Sequence, residues 1–186
     1  MNSIKVMARH PITWAVLVIL AVALAVALYL FQPWRLFTTV EVNEALPVTG
    51  GSAEPAAPGE SAPPSPEPAA KLKTLSQGEF ISHEHRTSGV AKVIELPSGE
   101  RVLRIEDLDT SDGPDLRVWL SDQPVKEGTD GWFNLDDGKW VELGELKGNR
   151  GNANYPIPEG TDLDSLKSVT IWCKRFSVSF GAATLA

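Results

Sequence analysis

A chain of 186 residues with 17 Lys and Arg against 24 Asp and Glu carries a formal net charge of −7, and it has no basic cluster with which to neutralise a phosphate backbone. Nucleic acid is therefore excluded as the main partner. The single cysteine, Cys173, excludes an intramolecular disulfide.

In chain order the first element is an uncharged apolar run from Ile12 to Phe31. A helix rising about 1.5 Å per residue needs roughly 20 apolar residues to cross about 30 Å of hydrocarbon, so this run predicts one transmembrane helix, with membrane lipid as its partner. Trp14 and Trp34 flank it, with Tyr29 and Phe31 near the second end, where amphipathic rings settle among headgroups. Lys5 and Arg9 precede it, while Arg35 alone follows, before Glu41 and Glu44. The positive-inside bias puts residues 1–11 in the cytoplasm and the remainder outside, in a single-pass cell-membrane protein. A cleaved signal peptide needs a shorter apolar region and small residues at its end, and Tyr29-Leu30-Phe31-Gln32-Pro33-Trp34 is bulky there. An uncleaved anchor is the favoured reading.

Residues 32–46 form a juxtamembrane segment. Residues 47–70 contain seven prolines (47, 55, 58, 63, 64, 66 and 68) among Ala, Gly, Ser and Glu. Such a stretch cannot bury enough apolar surface to offset its ordering entropy, so it reads as a disordered linker. Extended as polyproline II it would reach roughly 70 Å and act as a spacer lifting a domain off the membrane. The folded part is residues 71–186, with 14 Lys and Arg against 19 Asp and Glu.

Periodicity in that part is β throughout. Gly89 to Leu96 and Arg101 to Glu106 alternate around the turn-forming Pro97-Ser98-Gly99, which predicts a hairpin. Leu116 to Leu120 is a strand entered through Ser111-Asp112-Gly113-Pro114. Trp140 to Leu143, Val169 to Cys173 and Phe176 to Phe180 follow, with Ala182 to Leu185 closing the chain and Leu163 to Leu166 reading as one helical turn. Short strands at regular intervals imply an all-β fold, an antiparallel β-sandwich or partly closed barrel.

Period two places Val169, Ile171 and Cys173 on one face of their strand and Thr170 and Trp172 on the other. A core-facing Cys173 is a small buried hydrophobe; alternatively, the adjacent Lys174 and Arg175 favour a thiolate able to act as nucleophile, redox centre or ligand. His83 and His85 alternate with Glu84, so both imidazoles would project from one face. With Cys173 brought near, they would make an N,N,S metal site suited to copper, zinc or haem iron; otherwise they are hydrogen-bonded imidazoles at a turn. Asp107, Asp109, Asp112 and Asp115 read as turn formers or as oxygen ligands to a hard cation. Asn149, Gly151, Asn152 and Asn154 predict a loop tied together by side-chain amides. There is no phosphate-binding glycine loop, no HExxH and no GxSxG, and no nucleophile and base pair for a hydrolase.

Gly78-Glu79-Phe80, His85-Arg86-Thr87-Ser88-Gly89, Gly113-Pro114-Asp115-Leu116, Trp119-Leu120-Ser121, Leu146-Lys147-Gly148-Asn149, Gly151-Asn152-Ala153-Asn154-Tyr155 and Ile171-Trp172-Cys173-Lys174-Arg175-Phe176 occur in an order that resembles the DM-thirteen domain. That module accompanies DOMON domains in Skeletor-type animal proteins and occurs in membrane-anchored bacterial ones. One departure is Ala153, where the family usually has Gln. The resemblance covers residues 72 to 185 and implies an extracytoplasmic β domain engaged in electron transfer. It implies a redox role for Cys173, with electrons passing through the thiol itself or through a haem or copper bound near it, with His85 as a neighbouring ligand or proton partner, and with a redox protein as partner. The other function the chain supports is a cell-envelope binding or structural module, for which a spacer and an acidic β domain suffice.

Overall fold

The structure, a computed structural model, describes residues 11–47 and 72–186. Lys5 and Arg9 of the expected cytoplasmic segment, and all of the expected Pro-rich linker except Pro47, lie outside the described residues. Helix α1 (Pro11–Phe31) is long and apolar enough to cross a membrane or to serve as a signal sequence, and none of it is buried by the rest of the chain.

Two five-stranded sheets pack face to face and do not close into a barrel. The first has the order β1 (Glu41–Asn43), β8 (Arg150–Ile157), β5 (Arg101–Asp109), β4 (Ser88–Glu95), β2 (Lys73–Glu79). The second runs β3 (Ile81–Ser82), β10 (Val178–Thr184), β9 (Ser168–Cys173), β6 (Leu116–Ser121), β7 (Trp140–Glu145). The β4–β5 hairpin and strands β6, β7 and β9 lie where alternation predicts them, whereas β10 starts at Val178 rather than Phe176 because Phe176 and Ser177, the latter with φ +49°, belong to the turn after β9. A Leu166 N–H bond to Asp162 O closes the short turn before β9. The main core is the apolar filling between the sheets, including Val93, Leu103 and Ile105 from one and Val118, Leu120, Val169, Ile171 and Cys173 from the other.

The Asn-rich stretch differs from expectation, because it is strand β8 rather than a loop. Its amides fasten the juxtamembrane segment. Asn149 Oδ1 accepts from Val40 N–H at 2.7 Å, Asn152 Nδ2 donates to Asn43 Oδ1 at 2.9 Å and Asn154 Nδ2 donates to Ala45 O at 2.8 Å. Glu44 returns a contact by accepting Asn154 N–H at 2.7 Å. Strand β1 thereby adds to β8 in parallel. The described chain thus leaves this sheet from β1 at one edge and rejoins it through β2 at the other.

The helix end is held against the second sheet. Arg35 Nη1 pairs with Asp112 at 3.3 Å and donates to Gly113 O at 3.1 Å, and Thr38 Oγ1 donates to Asp112 Oδ2 at 2.6 Å. From the other side, Arg175 Nη1 donates to the carbonyl oxygens of Tyr29 and Leu30 at 3.2 and 3.0 Å, and a cation suits the negative end of a helix dipole. Phe31 stacks on Phe176 with ring centroids 5.3 Å apart. A cavity of about 380 Å³ lies at this junction, lined by Phe31, Leu36, His85, Phe176, Val178 and Phe180 among others.

Candidate functional site on the two faces of strand β9

Every residue of β9 is buried, which for a sheet facing solvent on one side would be unexpected. The cause is the segment between β6 and β7, which folds over the outer face and presses the fully buried Leu135 against Trp119, Trp172 and Ala182. β9 therefore carries side chains into two separate enclosed environments.

Cys173 points into the main core with no exposed surface, opposite Leu116 on β6 and Val178 on β10. Burial pushes its thiol pKa up; backbone N–H groups of Phe176, Arg175 and Asp115 work in the other direction, and the negative charge of Asp115 adds to the rise. The basic neighbours do not produce a thiolate. Lys174 Nζ turns to Glu142 at 3.2 Å, and Arg175 caps the helix. Both face away because successive side chains alternate and because the chain turns after Cys173.

His83 and His85 follow β3 through a bend, not along a strand, and their rings go to different places. His83 is buried on the outer face of the second sheet. Its Nε2 lies 3.0 Å from Lys126 O, which can only accept, so Nε2 carries the proton and Nδ1 accepts from Ser179 Oγ at 2.7 Å. Ser179 Oγ in turn lies 2.8 Å from Thr170 Oγ1. A Cβ on Gly131 would sit 2.0 Å from Lys126 O and 2.9 Å from His83 Nε2, so only glycine leaves room for this arrangement. Burial lowers the His83 pKa, partly offset by the bond to Lys126. His85 instead lies against the Phe180 ring, centroids 3.9 Å apart, with Nε2 2.7 Å from Glu84 Oε2, and it lines the cavity at the helix junction.

The expected N,N,S constellation is thus not assembled. Both His83 nitrogens are engaged, and among the described residues no group of three His, Cys, Asp or Glu side chains is placed to hold a metal ion. The acidic loop is likewise dispersed, with Asp112 on Arg35, Asp115 on Arg117 and Asp109 on Arg150. A haem or copper at Cys173 does not fit these residues, since the thiol has no exposed face and does not line the cavity.

What the sequence reading did not single out lies on the outer face. Trp119 of β6 stacks on Trp140 of β7 with centroids 4.1 Å apart and planes 4° from parallel, and on Trp172 of β9 with centroids 5.1 Å apart and planes at 23°. The signal was available as three tryptophans at outward positions of strands that pair as neighbours. It is readable only if the outer face is taken to be covered.

A family model described as Electron transfer DM13 matches residues 79–185. No curated protein and no solved structure matches the chain.

Proposed function

Because the chain belongs to the Electron transfer DM13 family, we propose that it is a membrane-tethered electron-transfer domain working on the outer side of the membrane, with Cys173 as its redox residue. The observation that carries this is the position of Cys173: the only thiol of the chain is enclosed on the strand that also bears the buried end of the tryptophan stack. Enclosure keeps the sulfur from solvent oxidants and from pairing with a second thiol, which would otherwise consume a lone cysteine in an oxidising compartment.

Exchange then proceeds by single electrons through the protein. Cys173 gives one electron to a high-potential one-electron acceptor and its proton to solvent, leaving a thiyl; the return of both restores the thiol. Helix α1 keeps the domain at the membrane surface, and the basic residues Lys5 and Arg9 before it support an outward-facing domain. The test is voltammetry of the full chain in lipid nanodiscs. A one-electron wave that is absent from C173S supports the reading, and a wave unchanged in C173S removes Cys173 from it.

A further inference from the structure

The three stacked indoles span the outer face of the second sheet from surface to interior. Trp140 on the edge strand is 42% exposed, Trp119 is 4% exposed and Trp172 only 1%. Offset stacking accounts for their stability as a packed cluster. It does not account for the polar end of Trp119, whose Nε1–H donates to Glu142 Oε2 at 3.2 Å. Glu142 is the residue opposite Trp119 across the β6–β7 pair, and two cations hold it in place, Arg117 Nη1 at 3.4 Å from Oε1 and Lys174 Nζ at 3.2 Å from Oε2. Arg117 is itself held by Asp115 and Glu145.

Indole is among the side chains most readily oxidised by one electron, and its cation radical becomes a strong acid at the ring nitrogen. A stack of indoles in ring contact lets a hole pass between them by short steps. A carboxylate on the middle indole's N–H gives the released proton a destination. We propose that Trp140, Trp119 and Trp172 form a hole relay, with exposed Trp140 as the contact point for a high-potential one-electron oxidant and with Trp119 and Glu142 as the proton-coupled radical site.

The step balances as follows. The oxidant takes one electron from Trp140, Trp119 refills Trp140 with one electron, and the Nε1 proton of Trp119 passes to Glu142. The products are a neutral indolyl radical at Trp119, a protonated Glu142 and the oxidant reduced by one electron. Trp172 extends the stack to β9, where the next residue is Cys173. The relay stands on ring geometry and needs no role for the thiol.

The test places the oxidant at the entry point. Lys139 is exposed and precedes Trp140, and Cys173 is enclosed, so K139C in the full chain takes a ruthenium polypyridyl label selectively. Flash oxidation in nanodiscs is expected to give a neutral tryptophan radical in transient absorption. W140F is expected to lose rapid radical formation while keeping the fold, because Trp140 sits at the surface. E142Q is expected to change the signal from the neutral to the cation radical, since an amide cannot take the proton. A radical that forms equally fast in W140F, or a neutral radical that persists unchanged in E142Q, overturns the proposal. Adding C173S separates this proposal from the function given above: radical formation as in the parent supports the relay by itself, and loss of the radical there overturns it.

Discussion

Gly151 of β8 and Val42 of β1 approach so closely that a Cβ on the glycine would lie 2.3 Å from the Val42 carbonyl oxygen. Gly151 also has a φ of +95°, outside the range L side chains adopt readily. Gly148 is similarly pressed, 2.6 Å from Val40 O by the same construction. These two glycines and the three asparagines beside them make a receptor for the juxtamembrane strand.

G151A is expected to detach β1 from β8, at a cost of about 1–3 kcal/mol from backbone strain together with the clash. The remaining ties to the edge strand include side-chain hydrogen bonds of Asn149, Asn152 and Asn154, and most of the sandwich core comes from the other strands. The measurement is limited proteolysis within residues 38–47, expected to accelerate in G151A while the core stays resistant. Equal protection in both proteins would show that β1 is held by something other than this approach.

The buried imidazole of His83 sets a pH dependence. Its folded pKa is lowered, whereas the unfolded ring takes a proton near the usual value of about 6.5. The unfolded state therefore binds more protons below that pH, so stability is complete above about 6.5 and falls as the pH drops beneath it. Denaturant midpoints at pH 7.5 and about 5.5, above the carboxylate range, read the slope. H83Q is expected to flatten it, whatever it does to absolute stability. A slope unchanged in H83Q would mean that another group titrates.

Cys173 is expected to resist thiol reagents in the folded protein and to react only after opening of the core. Both its enclosure and its raised pKa act in that direction, since the thiolate is the reactive species. If access requires global unfolding, labelling should be slower than for an unfolded thiol by at least about a thousandfold. Rapid labelling in native buffer would place the sulfur at an accessible surface.

The strands with clean alternation were legible because period two shows directly in residues such as Val169, Ile171 and Cys173, all of which reach the core. Strand β8 was not, because Gly151, Asn152 and Asn154 carry turn chemistry that here serves side-chain bonds to a neighbouring segment. Strand β1 is too short for a periodic signal, and its partner lies more than a hundred residues away in the chain. For the site, the strand face of Cys173 left a buried thiol and a reactive thiolate both open, and only the packing decides for the buried thiol. The separation of His83 from His85 was not legible either. Alternation about Glu84 holds only on a strand, and the chain bends there to send one ring under the segment covering β9 and the other to Phe180. The tryptophan stack depends on pairing order, which a single strand's pattern does not contain.

The central claim is that electrons are exchanged by a bare, enclosed thiol, and an absorption spectrum with metal analysis of the voltammetrically active full chain tests it most directly. The expected result is a cysteine-dependent wave from protein with neither a Soret band nor stoichiometric metal. A Soret band or bound metal that disappears in C173S would contradict it, and would show that Cys173 is a ligand rather than the redox group itself.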